Sequence, residues 1–144
     1  MATFSRSVEV DWTGTLMEGS GQAKAGTGAF TLPVTFPKRI GEPGGATSPE
    51  ELIAGALGVC YTMVLANMVA KKGGQASGLH VRCEVTADKS DAGIKIVTAA
   101  LTPRAKGLSG MSAEDFAATT REAEAKCPVA NALRGNVKID VATA

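Results

Sequence analysis

The chain has one histidine, no CxxC pair and no cluster of basic residues interleaved with aromatics. Each shortage closes off a kind of chemistry. A Cys-His hydrolase or a zinc site needs imidazole beside thiol or several ligands at spacing, and His80 lies alone on the outward side of an alternating segment. Fifteen basic residues nearly cancel fourteen acidic ones, which gives a nucleic-acid partner nothing to hold. The opening MATFSRSVEVDW has neither the basic nor the apolar region of a secretory leader. Three cysteines, at 60, 83 and 127, show no bridge-like spacing and suit a reducing compartment, so the expectation is a soluble cytoplasmic protein. The GSG and GTG triplets near residues 19–28 lack a following GK[ST] or helix, so they read as turn chemistry rather than a phosphate loop.

What the chain does have is one long uncharged stretch. Ser48–Ala70 opens with Ser-Pro-Glu-Glu, and no charged residue occurs from Leu52 to Ala70. Ser48 suits an N-cap, Pro49 the first helical position, and Glu50 and Glu51 the positive end of the helix dipole. Ser48 with Glu51 makes a capping box, and Gly73-Gly74 stops the helix. Nineteen uncharged residues are long enough to raise a membrane span. Two glycines, Asn67 and Tyr61 dilute the stretch, and only one end carries flanking lysines, so no membrane span is expected. A helix apolar all round is a buried one. A single domain of 144 residues has little material to cover it, so a second copy is expected to supply the rest, as a homodimer.

Around this helix the chain reads as strands, helix, strands, helix, strand: one α+β domain, 1–144, with antiparallel sheet. Residues 3–11 alternate as a strand. The glycine-rich MEGSGQAKAGTGAF that follows reads as a turn. Phe30–Phe36 is a short edge strand interrupted by Pro33, and PKRIGEPGGAT reads as a polar loop delivering Arg39 to the start of the long helix. Leu79, Val81, Cys83 and Val85 share the buried face of a strand. Asp88–Gly93 turns it back into Ile94–Leu101. Ser112 caps a second helix with Phe116, Ala123 and Cys127 on one face, Pro128 ends it or starts a short turn, and Asn136–Val141 is a closing strand.

Cys83, inward in an alternating strand, reads as a small hydrophobe. Cys60 is ambiguous. Burial alone leaves a mid-helix thiol protonated and inert, and the helix N-terminus is about three turns away. A reactive Cys60 needs a cation, for which Arg39 is the candidate, and a buried arginine needs a carboxylate such as Glu50. Cys127 precedes Pro128 and can cap the turn that follows, where a helix N-terminus lowers a thiol's pKa. Residue by residue, an inert core and an activated thiol both remain open.

Taken together, TSPEELIAGALGVCYTMVL and CPVANALRGNVKIDV resemble the central-helix and second-cysteine motifs of the OsmC/Ohr hydroperoxide reductases. The likeness extends to Trp12-Thr13-Gly14, the Val85–Gly93 hairpin and the Phe116 helix, and Arg39 with its EPGGATSPEE loop is closer to the OsmC branch. The resemblance implies antiparallel sheets wrapped around two long central helices in an intertwined homodimer, with active sites at the interface. It implies a cofactor-free thiol peroxidase acting on organic, fatty-acid-type hydroperoxides, with Cys60 peroxidatic and Cys127 resolving. Arg39 would stabilise the Cys60 thiolate, Glu50 would hold Arg39, and an external dithiol, lipoyl-type, would recycle the disulfide. Leu57, Val59 and Met63, or their counterparts in a partner, would form an apolar wall. The competing readings are a non-catalytic dimeric module binding a small apolar ligand and a slow redox sensor.

Overall fold

The computed structural model describes residues 1–142 and divides into two compact units, Met1–Leu52 and Ile53–Ala144. The first unit is a three-stranded antiparallel sheet of order β1-β2-β3, with β1 Val8–Thr13, β2 Ser20–Ala25 and β3 Thr31–Val34. Strand β2 runs through the stretch expected to be a turn. Gly21, Ala23 and Ala25 alternate inward against outward Ser20, Gln22 and Lys24, so the strand period is present but written in residues too small to read as apolar. The glycines leave room for the Trp12 ring: a Cβ on Gly21 would meet Trp12 Cε3 at 2.8 Å. Strand β1 correspondingly ends at Thr13 and begins only at Val8, rather than spanning 3–11.

Strand β3 lies at the sheet edge, as Pro33 requires. The segment read as a polar loop begins with a short helix, α1 Phe36–Ile40, whose N-cap Thr35 accepts from the Lys38 N–H at 3.3 Å. After it, the Thr47 N–H donates to the Pro33 carbonyl at 2.8 Å, fastening the approach to the long helix onto β3. That helix is α2 Pro49–Lys71. The Glu51 N–H donates to Ser48 Oγ at 3.1 Å. The Glu51 carboxylate accepts instead from the Thr47 hydroxyl at 2.9 Å, so the cap draws on Thr47 as well as Ser48.

The second unit holds the remainder of α2, a sheet of order β4-β5-β6, and helices α3 Ala113–Lys126 and α4 Pro128–Leu133. β4 Gly78–Ser90 and β5 Gly93–Lys106 form a long antiparallel hairpin, longer than the alternation predicts, with a bulge at Thr86/Ala87. β6 Lys138–Val141 pairs with β5 in parallel, which corrects the expectation of purely antiparallel sheet. The α3–α4 segment supplies the crossover that parallel pairing demands. Ser112 caps α3, accepting from the Asp115 N–H at 3.0 Å. The core gathers Leu57, Tyr61, Leu65 and Met68 of α2, Ala99 and Leu101 of β5, and Phe116, Ala123, Cys127 and Ala130.

Candidate active site

Cys60 sits mid-way along α2, half-buried at the edge of that core, and Cys127 is fully buried between α3 and α4. Pro128 forces Cys127 out of the helical region, and its backbone takes φ −78° and ψ 117°. The residue therefore ends α3 and caps α4, with its thiol sulfur accepting from the Ala130 N–H at 3.5 Å. This is the capping role expected from Cys-Pro. Cys60 lies near the capped thiol, close enough to push its pKa up. Both cysteines are free thiols.

Burial pushes the Cys127 thiol up, the Ala130 N–H works against it, and the nearby Cys60 adds to the rise. The net direction is opposite to the lowering expected at a helix N-terminus, because two turns of helix cannot offset loss of water around sulfur. Cys83, on β4 beside Gly58, is likewise pushed up, first by burial and then by the neighbouring Cys127. It is half-buried on the inward face of its strand, as the alternation predicts.

Arg39 and Glu50 form a close pair in the first unit. Arg39 Nε donates to Glu50 Oε1 at 3.1 Å and Oε2 at 3.2 Å, and Nη2 donates to Oε1 at 2.7 Å. Arg39 lies in the last turn of α1 and Glu50 in the first turn of α2, so two short-range helix signals aim the pair. The side chains are 27% and 15% exposed. The guanidinium holds the Glu50 carboxyl below its ordinary value, and partial burial opposes it only in part.

The expected apolar wall divides. Leu57 belongs to the core, whereas Val59 and Met63 face outward, 58% and 69% exposed. Two further features escaped the sequence reading. Tyr61 is fully buried, and its hydroxyl donates to the Thr120 carbonyl on α3 at 2.8 Å. Its signal was there, since the sole tyrosine in an uncharged helix must find a partner for its hydroxyl. Across the Cys127 junction, Arg134 Nη1 lies 2.6 Å from Glu124 Oε1, off the line of a formed hydrogen bond, as an ion pair. Nine intervening residues with no periodic link hid that contact. Among the described residues no three His, Cys, Asp or Glu side chains converge as a metal-binding group.

Two neighbouring thiols, one partly open and the other sealed, have the makings of a pair that cycles between dithiol and disulfide. The sequence model of the family described as OsmC-like protein matches residues 41–142. Peroxiredoxin OsmC of Escherichia coli is 31% identical over 140 residues, covering 96% of each chain. The solved organic hydroperoxide resistance protein OsmC of Legionella pneumophila superposes with a TM-score of 0.75 at 23% identity, covering 100% of this chain and 99% of that one. An OsmC-like protein of unknown function from Vibrio cholerae superposes with a TM-score of 0.78 at 17% identity, covering 99% and 100%. By family match and by the likeness to the Escherichia coli protein along nearly its whole length, this chain belongs to the OsmC-like protein family.

Proposed function

We propose that the protein is a cysteine-based peroxidase that reduces organic hydroperoxides to alcohols. The nearness of the Cys60 and Cys127 thiols, both at one core, supports this reading, and the names of the Escherichia coli and Legionella relatives agree with it. The Cys60 thiolate attacks the outer peroxide oxygen, the O–O bond breaks, and the alkoxide leaves as an alcohol, which makes Cys60 a sulfenic acid. The Cys127 thiolate then attacks the Cys60 sulfur, and the oxygen leaves as water while the disulfide forms. Because Cys127 is sealed and Cys60 partly open, an external dithiol, of lipoyl type by the family resemblance, attacks at Cys60 and expels Cys127. A reducing cytoplasm is the setting in which both thiols are restored. No cofactor enters any step.

Arg39, held by Glu50, serves as the cation that favours thiolate and orients the peroxide. Glu50 and Cys60 are ten residues apart on α2, about 15 Å of helical rise. We therefore read the Arg39–Glu50 pair as completing the Cys60 site of a second copy, which makes the active species a homodimer. The outward stripe of α2 — Leu52, Ala56, Val59, Met63 and Ala66 — supplies the apolar face that such a dimer buries. Those same residues would wall the peroxide pocket and favour an alkyl chain over well-hydrated hydrogen peroxide. No observation favours a non-catalytic ligand-binding module.

The test is hydroperoxide consumption with a dithiol reductant. Cys60→Ser is expected to abolish turnover, and Cys127→Ser to give one reaction per chain with a trappable sulfenic acid at Cys60. Consumption by Cys60→Ser at the parent rate would overturn the assignment.

A further inference from the structure

Formation of a disulfide tolerates little misplacement. Bridged cysteines need Cβ atoms roughly 3.5–4.5 Å apart, whereas sliding one helix by a single residue displaces it about 1.5 Å. Cys60 and Cys127 lie on different elements, so something must hold α3 against α2. Two side-chain ties link α2, or the residue that follows it, to α3 among the described residues. Lys72 Nζ meets Glu122 at 2.8 Å in the open, where solvent screening leaves an ion pair little to contribute. The other is buried: Tyr61, the residue after Cys60, donates its hydroxyl to the carbonyl of Thr120 at 2.8 Å.

We propose that Tyr61 is a positioning residue for the resolving step, its hydrogen bond to Thr120 setting the register that keeps Cys127 against Cys60. The inference rests on the peroxidase reading above. Thr120 precedes Cys127, the C-cap of α3, by seven residues, about two turns of helix, so the register fixed at Thr120 sets where the end of α3 delivers Cys127. The ring belongs to the same buried core as Leu57, Leu65 and Ala123, and its hydroxyl is bonded to the Thr120 carbonyl. Burial pushes the phenol well above its ordinary range, so the hydroxyl remains a donor at every working pH. In the step it serves, the Cys127 thiolate forms the S–S bond as the Cys60 S–O bond breaks, and the departing hydroxide takes a proton to become water.

The experiment compares the parent with Tyr61→Phe, which keeps the ring and removes the donor. One equivalent of cumene hydroperoxide is added, sulfenic acid is trapped at Cys60, and disulfide closure is followed by mass. Tyr61→Phe is expected to form the sulfenic acid at the parent rate but to close the disulfide about tenfold more slowly. With excess peroxide it accumulates sulfinic acid at Cys60. Leu101→Val, a core trimming on β5, is expected to close at the parent rate. Parent-rate closure in Tyr61→Phe, or equal slowing in Leu101→Val, overturns the proposal. Diamide, which couples two thiols without peroxide, separates the two claims. No sulfenic acid in the parent sinks the peroxidase reading, while diamide closure still measures whether Tyr61→Phe is slower.

Discussion

Glu50 shows how much one carboxylate can be made to do. It favours the start of α2 through the helix dipole and accepts three contacts from Arg39. Its carboxyl is held below the ordinary 4.5 of glutamate, chiefly by the guanidinium. A carboxyl depressed on folding contributes stability that is present above its unfolded value and lost as pH falls through the folded one. Glu50→Gln is therefore expected to lower unfolding free energy by about 1–2 kcal/mol at pH 7. The gap should shrink progressively below pH ~4 as the parent's own carboxyl protonates. Urea unfolding at pH 7, 4.5 and 3 reads both numbers, and a gap that stays constant to pH 3 would mean that the charge of Glu50 contributes nothing. At this scale the sequence was informative because the signals are local: an acid in a first helical turn, a cysteine before proline, a cysteine alternating with Val81 and Val85. Tyr61 and Thr120, 59 residues apart, share no local signal, and only the demand of a buried hydroxyl connects them.

Among the elements, legibility followed side-chain size. Helix α2 is read from its cap and its long uncharged run, and the β4–β5 hairpin from large apolar residues at strand period. Strand β2 carries the same period in glycine and alanine, where apolar size is absent and glycine argues for turns. The reason for small residues there is the neighbour. Trp12 of β1 pairs with Gly21, and its ring lies over that position. A Cβ on Gly21 would come within 2.5 Å of the Asp11 carbonyl oxygen and 2.8 Å of the ring. Gly21→Ala is thus expected to displace the ring and to destabilise the sheet by about 1–3 kcal/mol. Trp12 is the sole tryptophan, so its fluorescence reports the displacement without ambiguity, and an unshifted spectrum with parent stability would show that the ring packs elsewhere. The parallel pairing of β6 was illegible for a different reason. Alternation in NVKIDV specifies a strand face, while partner and direction are decided by the α3–α4 crossover that returns the chain to β5.

For the whole molecule, the question is what the outward stripe of α2 meets. The helix is 23 residues long, and its most apolar 18-residue window has a mean hydropathy of 1.9 with only 28% of its residues buried, so length and composition alone would let it cross a membrane. A lipid span would place the Glu50 and Glu51 end and the Lys71 and Lys72 end on opposite sides. Yet Glu50 is engaged by Arg39 and Glu51 by Thr47, and one whole side of the helix, through Leu57, Tyr61 and Leu65, is already buried in protein. On the remaining side Leu52, Val59 and Met63 are exposed, and the proposed homodimer would cover this stripe with a second protein surface. Val59→Lys combined with Met63→Lys places two ammonium groups where a dimer would exclude water, which desolvation forbids. Sedimentation is expected to show the parent as a dimer in detergent-free buffer and the double variant as a monomer. Because Cys60 and Cys127 belong to one chain, the monomer should still close its disulfide with diamide. Because the Arg39–Glu50 pair is proposed to act on the other copy's thiol, the same monomer should lose reaction with hydroperoxide by about a hundredfold or more. A double variant that stays dimeric at parent turnover would move the interface off this stripe. A monomer that reacts with hydroperoxide at the parent rate would return the cationic role to a group within the same chain.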